Sequence, residues 1–419
     1  MINIIVTLSL IVWVNCENVY SPPEPIEIDT KRTPCELIES RNFICDQHWI
    51  LTDDGYILTA HHLINPVLVS ANITTIKPVV LQHALLGSVN HFLINAEGGF
   101  ASDWTDEQSI EVNLAIEGRN LPYLLANLGY DVWIINSRGN KYSRNHTWLD
   151  PDSNSEFWKF SYDQMISYDA PATIDYILRE TGHETLAWIG HSQGSMVLFG
   201  FLSEKPEYSA KIKPFIALAP VTTVGHIKSP IRYIADIPLI KSIATLIGGE
   251  LNLPETLINL FANRVCEWTG IKGICTSIFY LFGGYDPQQF NTTRLPLYIA
   301  HGFEGTSWWN LVHFGQNIKS NRFAKFDFGL IGNLRKYGSW KPPQYNLAEI
   351  DSKNIILISS PSDPLADPDD IEQLRKSLQV PITQFIVSQP KFSHLDFIWG
   401  KDVYSNVYKM LVKLLKDFS

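Results

Sequence analysis

The sequence predicts an α/β fold in which a mostly parallel sheet is covered by helices on both faces and interrupted by a mostly helical insertion. Three observations support this prediction. Short apolar runs alternate with helix-like segments up to about residue 220. Amphipathic segments replace the alternation between about 221 and 346, and an apolar run and a helix then return. Alternating strands and helices are typical of a parallel sheet buried between two helical layers.

The expected elements follow the chain in this order. Two β-rich runs flank Asp53-Asp54-Gly55, which predicts a hairpin. Buried strands are expected at 77–83, 130–136, 185–190, 214–220 and 354–360. Helices are expected at 164–179, with a start or a kink near Pro171, at 195–204 and at 369–378.

We divide the 419 residues into a signal peptide, a core in two parts and a cap. The signal peptide is assigned to 1–16, the first part of the core to 17–220, the cap or lid insertion to 221–346 and the second part of the core to 347–419. A separate C-terminal domain is the alternative for the insertion. The return of a strand and a helix after residue 346 favours a cap over one continuous sheet.

Composition narrows the class of protein. Hydrophobic residues make up 45% of the chain, enough for a large core, and the net charge is −10 at pH 7. With no basic block, this charge argues against nucleic-acid binding. The apolar run Ile4–Val14 is too short to span a bilayer and fits the middle region of a signal peptide, although an N-terminal strand is an alternative. No later run is long enough for a transmembrane helix.

Cysteines and sequons also favour the secretory route. Loss of Cys16 with the leader leaves four cysteines, which allow three pairings. Proximity in the sequence favours Cys35–Cys45 and Cys266–Cys275, with free buried thiols as the alternative. Glycosylation sequons begin at Asn72, Asn145 and Asn291. We expect secretion, and lysosomal delivery remains an alternative.

One short stretch, LAWIGHSQGSMVL, places Ser192 between Gly190 and Gly194 directly after an apolar run. This is the pattern of a nucleophile elbow, a sharp strand-to-helix turn in which side chains at the two glycine positions would collide with their neighbours. The turn presents the hydroxyl above the sheet and directs the N–H of Gln193 toward a developing oxyanion. We interpret Ser192 as the nucleophile of an α/β-hydrolase fold; a plain glycine-rich turn is the alternative.

The other catalytic candidates follow from chain order. A serine needs a base to take its proton, and in this architecture an acid and then a histidine come after the serine. His394 is the last histidine and lies in a loop near the C-terminus, so it is the candidate base, with a structural histidine as the alternative. Asp363 lies nearest the end of a late strand and is the candidate acid, whereas Asp367 is expected to cap the next helix. Leu85, after an early strand, is the candidate for the second oxyanion N–H.

At this point the chain resembles the acid lipase family of α/β hydrolases, the gastric and lysosomal lipases and their insect relatives. The resemblance extends from about residue 42 to the C-terminus and includes DGYIL, HALLGS, SRGNKYSRNH, FWKFSYDQM, GHSQG, GTSWWN, SDPLADPDD and SHLDFIWG. It implies a Ser192, Asp363 and His394 triad with oxyanion donors at Leu85 and Gln193. It further implies a Cys266–Cys275 disulfide inside a cap that carries a movable lid.

Four features depart from the family pattern. Ala84 stands where the family usually has glycine, and its methyl group could crowd the acyl pocket or tighten the oxyanion hole. Gly283 replaces a third cap cysteine, and Trp308-Trp309 replaces a smaller or polar pair. The Cys35–Cys45 pair is additional.

The leading hypothesis is a secreted serine lipase that hydrolyses acylglycerols or related neutral lipid esters at a lipid–water interface. We expect no metal and no other cofactor. A carboxylesterase or cholesteryl-ester hydrolase with the same triad is one alternative. A lipid-binding relative with weak or no catalysis is another, kept open by Ala84.

Overall fold

A nine-stranded sheet forms the centre of the computed structural model, which describes residues 28–106, 110–236, 249–266 and 269–418. Its strand order is β1-β2-β4-β3-β6-β7-β10-β11, with β5 paired to β2, while β8 and β9 form a separate two-stranded ribbon. The strands are β1 Ile44–Leu51, β2 Tyr56–Ile64, β3 Pro78–Gln82, β4 Asp131–Ile135, β5 Asn145–His146, β6 Leu186–His191, β7 Ile212–Leu218, β8 Glu250–Leu251, β9 Thr306–Ser307, β10 Ile355–Ser359 and β11 Ile382–Ile386.

The predicted hairpin is confirmed as an antiparallel pair of β1 and β2. Gly55 adopts a φ of 95° in the connecting turn, a conformation that glycine reaches without steric cost. β2 pairs antiparallel with β4, and every pair from β4 to β11 is parallel. The mostly parallel α/β-hydrolase fold expected from the alternation is therefore present.

Helices lie between the parallel strands and around the sheet. The α-helices span Pro34–Glu39, Pro66–Ser70, Asn90–Leu93, Leu114–Glu117, Leu121–Asn127, Tyr162–Gln164, Ala170–Thr181, Gln193–Glu204, Glu255–Leu260, Thr269–Gly283, Leu295–His301, Trp308–Ser320, Leu330–Tyr337, Pro368–Ser377, Asp396–Trp399 and Lys409–Lys416. Within the described part of the chain, no helix combines the length and apolarity that a bilayer crossing requires.

The strands expected to be buried are confirmed, with ends that shift by one or two residues. Every residue of β3, β4, β6 and β10 is buried, as expected for strands covered on both faces. The helix expected at 164–179 runs from residue 162 to 181 and contains a π-helical turn, Met165–Asp169, immediately before Pro171. The expected interruption therefore lies in the turn before the proline.

β11 has no counterpart in the sequence prediction. Two of its five residues, Ile382 and Phe385, are partly buried, and the other three are exposed, because the strand forms the edge of the sheet. An edge strand needs no continuous apolar run, so the signal used for the central strands is missing there.

The segment between β7 and β10 contributes no strand to the nine-stranded sheet among its described residues. Its longest helices are Thr269–Gly283 and Trp308–Ser320. The boundaries at 221 and 346 remain an interpretation, and the expected signal peptide lies outside the described residues.

Candidate active site

The turn between β6 and the helix Gln193–Glu204 holds Ser192 in a strained backbone conformation, with φ 54° and ψ −117°. Its N–H donates to the carbonyl of Leu218 at 3.0 Å, and its carbonyl accepts from the Ser195 hydroxyl at 2.6 Å. Positive φ is rare for a serine, so the surrounding hydrogen bonds must maintain it. The elbow conformation that the GxSxG pattern predicts is therefore present.

The two flanking glycines are explained by close backbone contacts. A Cβ at Gly190 would lie 2.5 Å from the carbonyl carbon of Gly194. A Cβ at Gly194 would lie 2.8 Å from the carbonyl carbon of Gln82 and would overlap its oxygen. Both contacts are with backbone atoms that cannot move aside easily. The elbow thus packs directly on β3, the strand that leads to the Leu85 turn.

Asp363 and His394 meet at the edge formed by the carboxyl ends of the parallel strands. Nδ1 of His394 lies 2.8 Å from Oδ2 and 3.1 Å from Oδ1 of Asp363. The backbone N–H groups of Leu365 and Ala366 both donate to Oδ1 of Asp363 at 2.8 Å. The carboxylate is therefore fixed, and Nε2 is the ring nitrogen of His394 that does not contact Asp363.

Asp367 has the capping role expected of it. Its Oδ1 accepts from the N–H of Asp369 at 2.9 Å at the start of the helix Pro368–Ser377. Its other oxygen forms an ion pair with Lys228 at 2.6 Å. Of the two candidate aspartates, only Asp363 contacts His394.

Further contacts support the loop that carries His394. Its N–H donates to the carbonyl of Gly283 at 3.1 Å, and its carbonyl lies 3.1 Å from Nε2 of His191. Burial holds the pKa of His191 well below its usual value, so its neutral ring donates this bond. Gly283, one of the departures from the family pattern, packs closely here: a Cβ would lie 2.5 Å from Cδ1 of Leu395.

The loop after β3 forms a tight turn around Leu85. The N–H of Gly87 donates to the carbonyl of Ala84 at 3.1 Å, and Leu86 adopts a φ of 64°. The carbonyl of Leu86 accepts from the N–H of Glu304 at 2.8 Å. Gln193 is the first residue of its helix, so its N–H has no acceptor within that helix.

Glu304 organises a buried polar cluster behind this turn. One carboxylate oxygen accepts from Asn90 Nδ2 and from the Tyr142 hydroxyl, each at 3.0 Å, and the other accepts from the Ser88 hydroxyl. Burial favours protonation, but hydrogen bonds from His301 and Ser88 hold the pKa of Glu304 below its usual value. Because these residues are far apart in the sequence, no local motif pointed to them.

The Gln193 side chain connects the elbow to the segment between β7 and β10. Its Oε1 accepts from Nδ2 of Asn310 at 2.8 Å, and its amide nitrogen lies 3.5 Å from the sulfur of Met165. Asn310 belongs to the quoted stretch GTSWWN, whose structural role the sequence did not suggest. The adjacent Trp309 is half-buried and packs on Phe326, with ring centroids 4.9 Å apart.

An apolar cavity of about 320 Å³ opens above the serine. Ser192 and His394 both line it, together with Ala84, Leu85 and His91. Burial lowers the pKa of His91 to about 4, so this ring is neutral at moderate pH. The rest of the lining is almost entirely apolar and comes largely from the segment before β10: Ile278, Phe279, Phe282, Phe303, Leu311, Phe314 and Ile318.

The remaining predicted sites lie away from the cavity. The structure contains both disulfides, Cys35–Cys45 and Cys266–Cys275, with Cα atoms 5.3 and 5.9 Å apart. The sequon residues Asn72 and Asn145 are exposed, and Asn291 is partly exposed.

Comparison with known proteins places this geometry in a family. Two family models match: one described as the alpha/beta hydrolase fold over residues 77–234, and one as a partial alpha/beta-hydrolase lipase region over residues 35–96. Gastric triacylglycerol lipase of Bos taurus is 37% identical over 387 residues, covering 91% of this chain and 90% of that protein. Lysosomal acid lipase/cholesteryl ester hydrolase of Macaca fascicularis is 35% identical over 395 residues, covering 93% and 92%.

A crystal structure of a candidate lipase from Sulfolobus solfataricus is similar in fold, with a TM-score of 0.52 and 17% identity, over 86% of this chain and 90% of that one. The fold and the elbow together define an α/β hydrolase. More specifically, the chain belongs to the acid lipase family, as its identity with the gastric and lysosomal lipases shows. It is an ester hydrolase of the lipase type.

Proposed function

We propose that this protein is a secreted serine lipase that hydrolyses acylglycerols or related neutral lipid esters through Ser192, His394 and Asp363. The observation that carries the proposal is the contact of His394 with Asp363 at an apolar cavity that Ser192 also lines. A triad needs a fixed carboxylate, an oriented imidazole and an exposed hydroxyl.

The proposed reaction has two halves. Ser192 Oγ attacks the ester carbonyl carbon while Nε2 of His394 takes the hydroxyl proton, and the N–H groups of Leu85 and Gln193 stabilise the oxyanion. The imidazolium then protonates the departing alcohol and leaves an acyl-serine. Water, activated by His394, hydrolyses that ester and releases the fatty acid. Asp363 holds the imidazole tautomer and stabilises its cation throughout.

The cavity lining supports a water-insoluble acyl chain. Transfer of apolar surface from water gains roughly 25 cal/mol per Å², and nearly all the side chains around the cavity are apolar. The names of the bovine and macaque relatives agree with acylglycerol and cholesteryl esters as substrates.

The decisive test is Ser192→Ala. We expect the rate of ester hydrolysis to fall by at least about 10⁴-fold, because the nucleophile is lost. The free energy of unfolding should stay unchanged. Ser203→Ala is the matched control, since Ser203 is a buried serine near the end of the helix that follows Ser192, and its hydroxyl donates to the Gly200 carbonyl. Turnover of the Ser192→Ala protein at the wild-type rate would rule out this site.

Cholesteryl-ester hydrolysis is a second candidate, because the macaque relative carries that activity in its name. A panel of an emulsified triacylglycerol, a cholesteryl ester and a dissolved short-chain ester at several pH values distinguishes the two lipids. It also tests the carboxylesterase alternative, for which we would see the highest rate on the dissolved ester.

If this protein binds lipid without catalysing hydrolysis, Ser192 should be unreactive. We expect an organophosphonate to label Ser192 covalently in the wild type and to leave Ser192→Ala unlabelled. An unlabelled wild type would favour the binding protein.

Secretion is supported by three features together: the apolar run Ile4–Val14, the paired cysteines and the exposure of the sequon asparagines. We expect the expressed protein to reach the medium and to lose mass on glycosidase treatment. Retention inside the cell without glycans would contradict this part of the proposal.

A further inference from the structure

The sheet face near its β1 edge carries a group of metal-ligating side chains that the sequence did not predict. Asp46 on β1 lies directly opposite His62 on β2, and directly opposite residues in an antiparallel pair point to the same face. His48 follows two residues after Asp46, so it shares that face. One ligand atom from each of the three side chains lies within 4.8 Å of the others.

His48 is oriented with one ring nitrogen free. Its Nδ1 lies 2.9 Å from the hydroxyl of Tyr176, on the helix Ala170–Thr181 that packs over this face. Its Nε2 is buried without a hydrogen-bond partner and lies 3.3 Å from Oδ2 of Asp46. An imidazole nitrogen that faces a carboxylate is stabilised there only when a proton or a cation lies between the two atoms.

His62 is held from behind in the manner of a metal-ligating histidine. Its ring stacks on Trp133, with centroids 4.3 Å apart and planes 6° apart, and its Nε2 contacts the Asp131 carboxylate. The other carboxylate oxygen of Asp131 accepts from the indole N–H of Trp133 at 3.0 Å, so the carboxylate is held in place. A carboxylate that orients an imidazole is a common outer partner of metal ligands.

We propose that Asp46, His48 and His62 bind a divalent transition-metal ion of the zinc class. Imidazole nitrogen and carboxylate oxygen are the ligands zinc takes at about 2.0–2.2 Å. Ligand atoms bound at that distance lie closer together than 4.8 Å, so side-chain shifts of about 1 Å would complete the site. The side chain of Asp46 is 55% exposed, which gives the ion a path from solvent and leaves a position for water.

Charge also favours a cation here. Asp46 and Asp131 place two carboxylates beside the imidazoles of His48 and His62. Arg179 lies nearby, but its guanidinium stacks on Tyr176 and pairs with Glu180. A divalent ion would balance the two carboxylates and link β1 to β2.

The test is a zinc titration of the full chain after chelator treatment, near neutral pH, by calorimetry. We expect one Zn²⁺ per chain with a Kd of about 10 μM or tighter, and a rise in melting temperature with added zinc. Asp46→Asn, which keeps side-chain size, should weaken binding by at least about 10-fold, and His48→Ala should weaken it further.

His226→Ala is the matched control, because His226 contacts an aspartate, Asp370, outside the cluster. It should bind zinc like the wild type. The melting temperature without added zinc reports that each variant is folded. No binding to the wild type at about 1 mM zinc, or equal binding by wild type and Asp46→Asn, would overturn the proposal. Failure of the lipase assay alone would leave the zinc result unaffected, so the two proposals are tested separately.

Discussion

At the scale of single residues, close contacts at the elbow explain why glycine is required. Gly194 lies so near Gln82 that any Cβ would overlap backbone atoms of β3. The hydrogen bonds of Ser192 to Leu218 and Ser195 maintain its strained conformation, and the close packing at Gly190 and Gly194 leaves no room for side chains there. The glycine at position 194 is therefore required by close packing between the start of a helix and a strand that lies more than 100 residues earlier in the chain.

We expect Gly194→Ala to disrupt the elbow. The added methyl group must displace β3 or the start of the helix, so we expect hydrolysis to fall at least about 100-fold. We expect the free energy of unfolding to decrease by about 1–3 kcal/mol. Gly273→Ala is the control, because its Cβ would meet nothing within 4 Å. Wild-type activity in Gly194→Ala would contradict the steric account.

Asp396 lies two residues after His394 and gives stability a pH dependence. Burial raises the pKa of Asp396 to about 7. Hydrogen bonds from Ser393 oppose this shift, and the charges of Asp286 and Asp363 add to it. The pKa of an aspartate in the unfolded chain is about 4, so below this pH the contribution of Asp396 to stability is fully present. That contribution is lost as the pH rises through about 7.

The corresponding prediction compares wild type with Asp396→Asn, which retains an acceptor for the Ser393 N–H. Between pH 4 and 8 the stability of wild type should fall relative to the variant, by up to about 4 kcal/mol. Urea unfolding across that range measures the difference, in which other titrating groups cancel. Parallel profiles would show that Asp396 does not titrate in this range.

At the scale of elements, a buried ion network joins the β1–β2 turn, β4 and the helix beginning at Ala170. Arg138, wholly buried, bonds both oxygens of Asp54 at 2.7 and 2.9 Å and Oδ1 of Asp169 at 2.8 Å. Its guanidinium also lies 4.0 Å from the Tyr56 ring centroid. Burial would lower the pKa of Arg138, but the two carboxylates raise it above its usual value.

Removing this cation should be costly. Arg138→Met leaves two carboxylates without their partner, so we expect a loss of about 3–5 kcal/mol in the free energy of unfolding. Arg375→Met removes a two-bond ion pair with Glu372 on the surface, and we expect a much smaller loss because solvent screens exposed charges. Equal losses in the two variants would show that the buried network contributes no more to the free energy of unfolding than the surface pair does.

At the scale of the whole molecule, the helix Thr269–Gly283 carries apolar side chains that line the cavity and others that are exposed. Phe279 and Phe282 line the cavity, while Ile274 and Leu281 are 60% and 56% exposed. Exposed apolar residues seven positions apart lie on one side of a helix. Under the proposed function, this side would contact the lipid surface.

We therefore expect the double variant Ile274→Asp, Leu281→Asp to lose activity on emulsified long-chain esters by at least about 10-fold. Its rate on a dissolved short-chain ester should be unchanged, because neither residue lines the cavity. Val69→Asp, at an equally exposed position on another helix, is the control. Equal losses on both substrates would indicate damage to the cavity.

Much of the fold could be predicted because its signals are local. The buried strands appear as apolar runs, and the hairpin as two β-rich runs around a turn. The edge strand β11 was missed because partial exposure removes the apolar run. The polar cluster around Glu304 was missed because its members come from three separate parts of the chain.

The sequence by itself determined the alternation of strands and helices, the glycine-flanked serine and the order in which the candidate acid and base follow it. These are properties of neighbouring residues, set by backbone sterics and apolar periodicity. Only the tertiary structure decided which aspartate contacts His394, which histidines are buried, and that Asp46, His48 and His62 share one face. Those facts depend on strand register and burial, which bring together residues that no spacing along the chain relates.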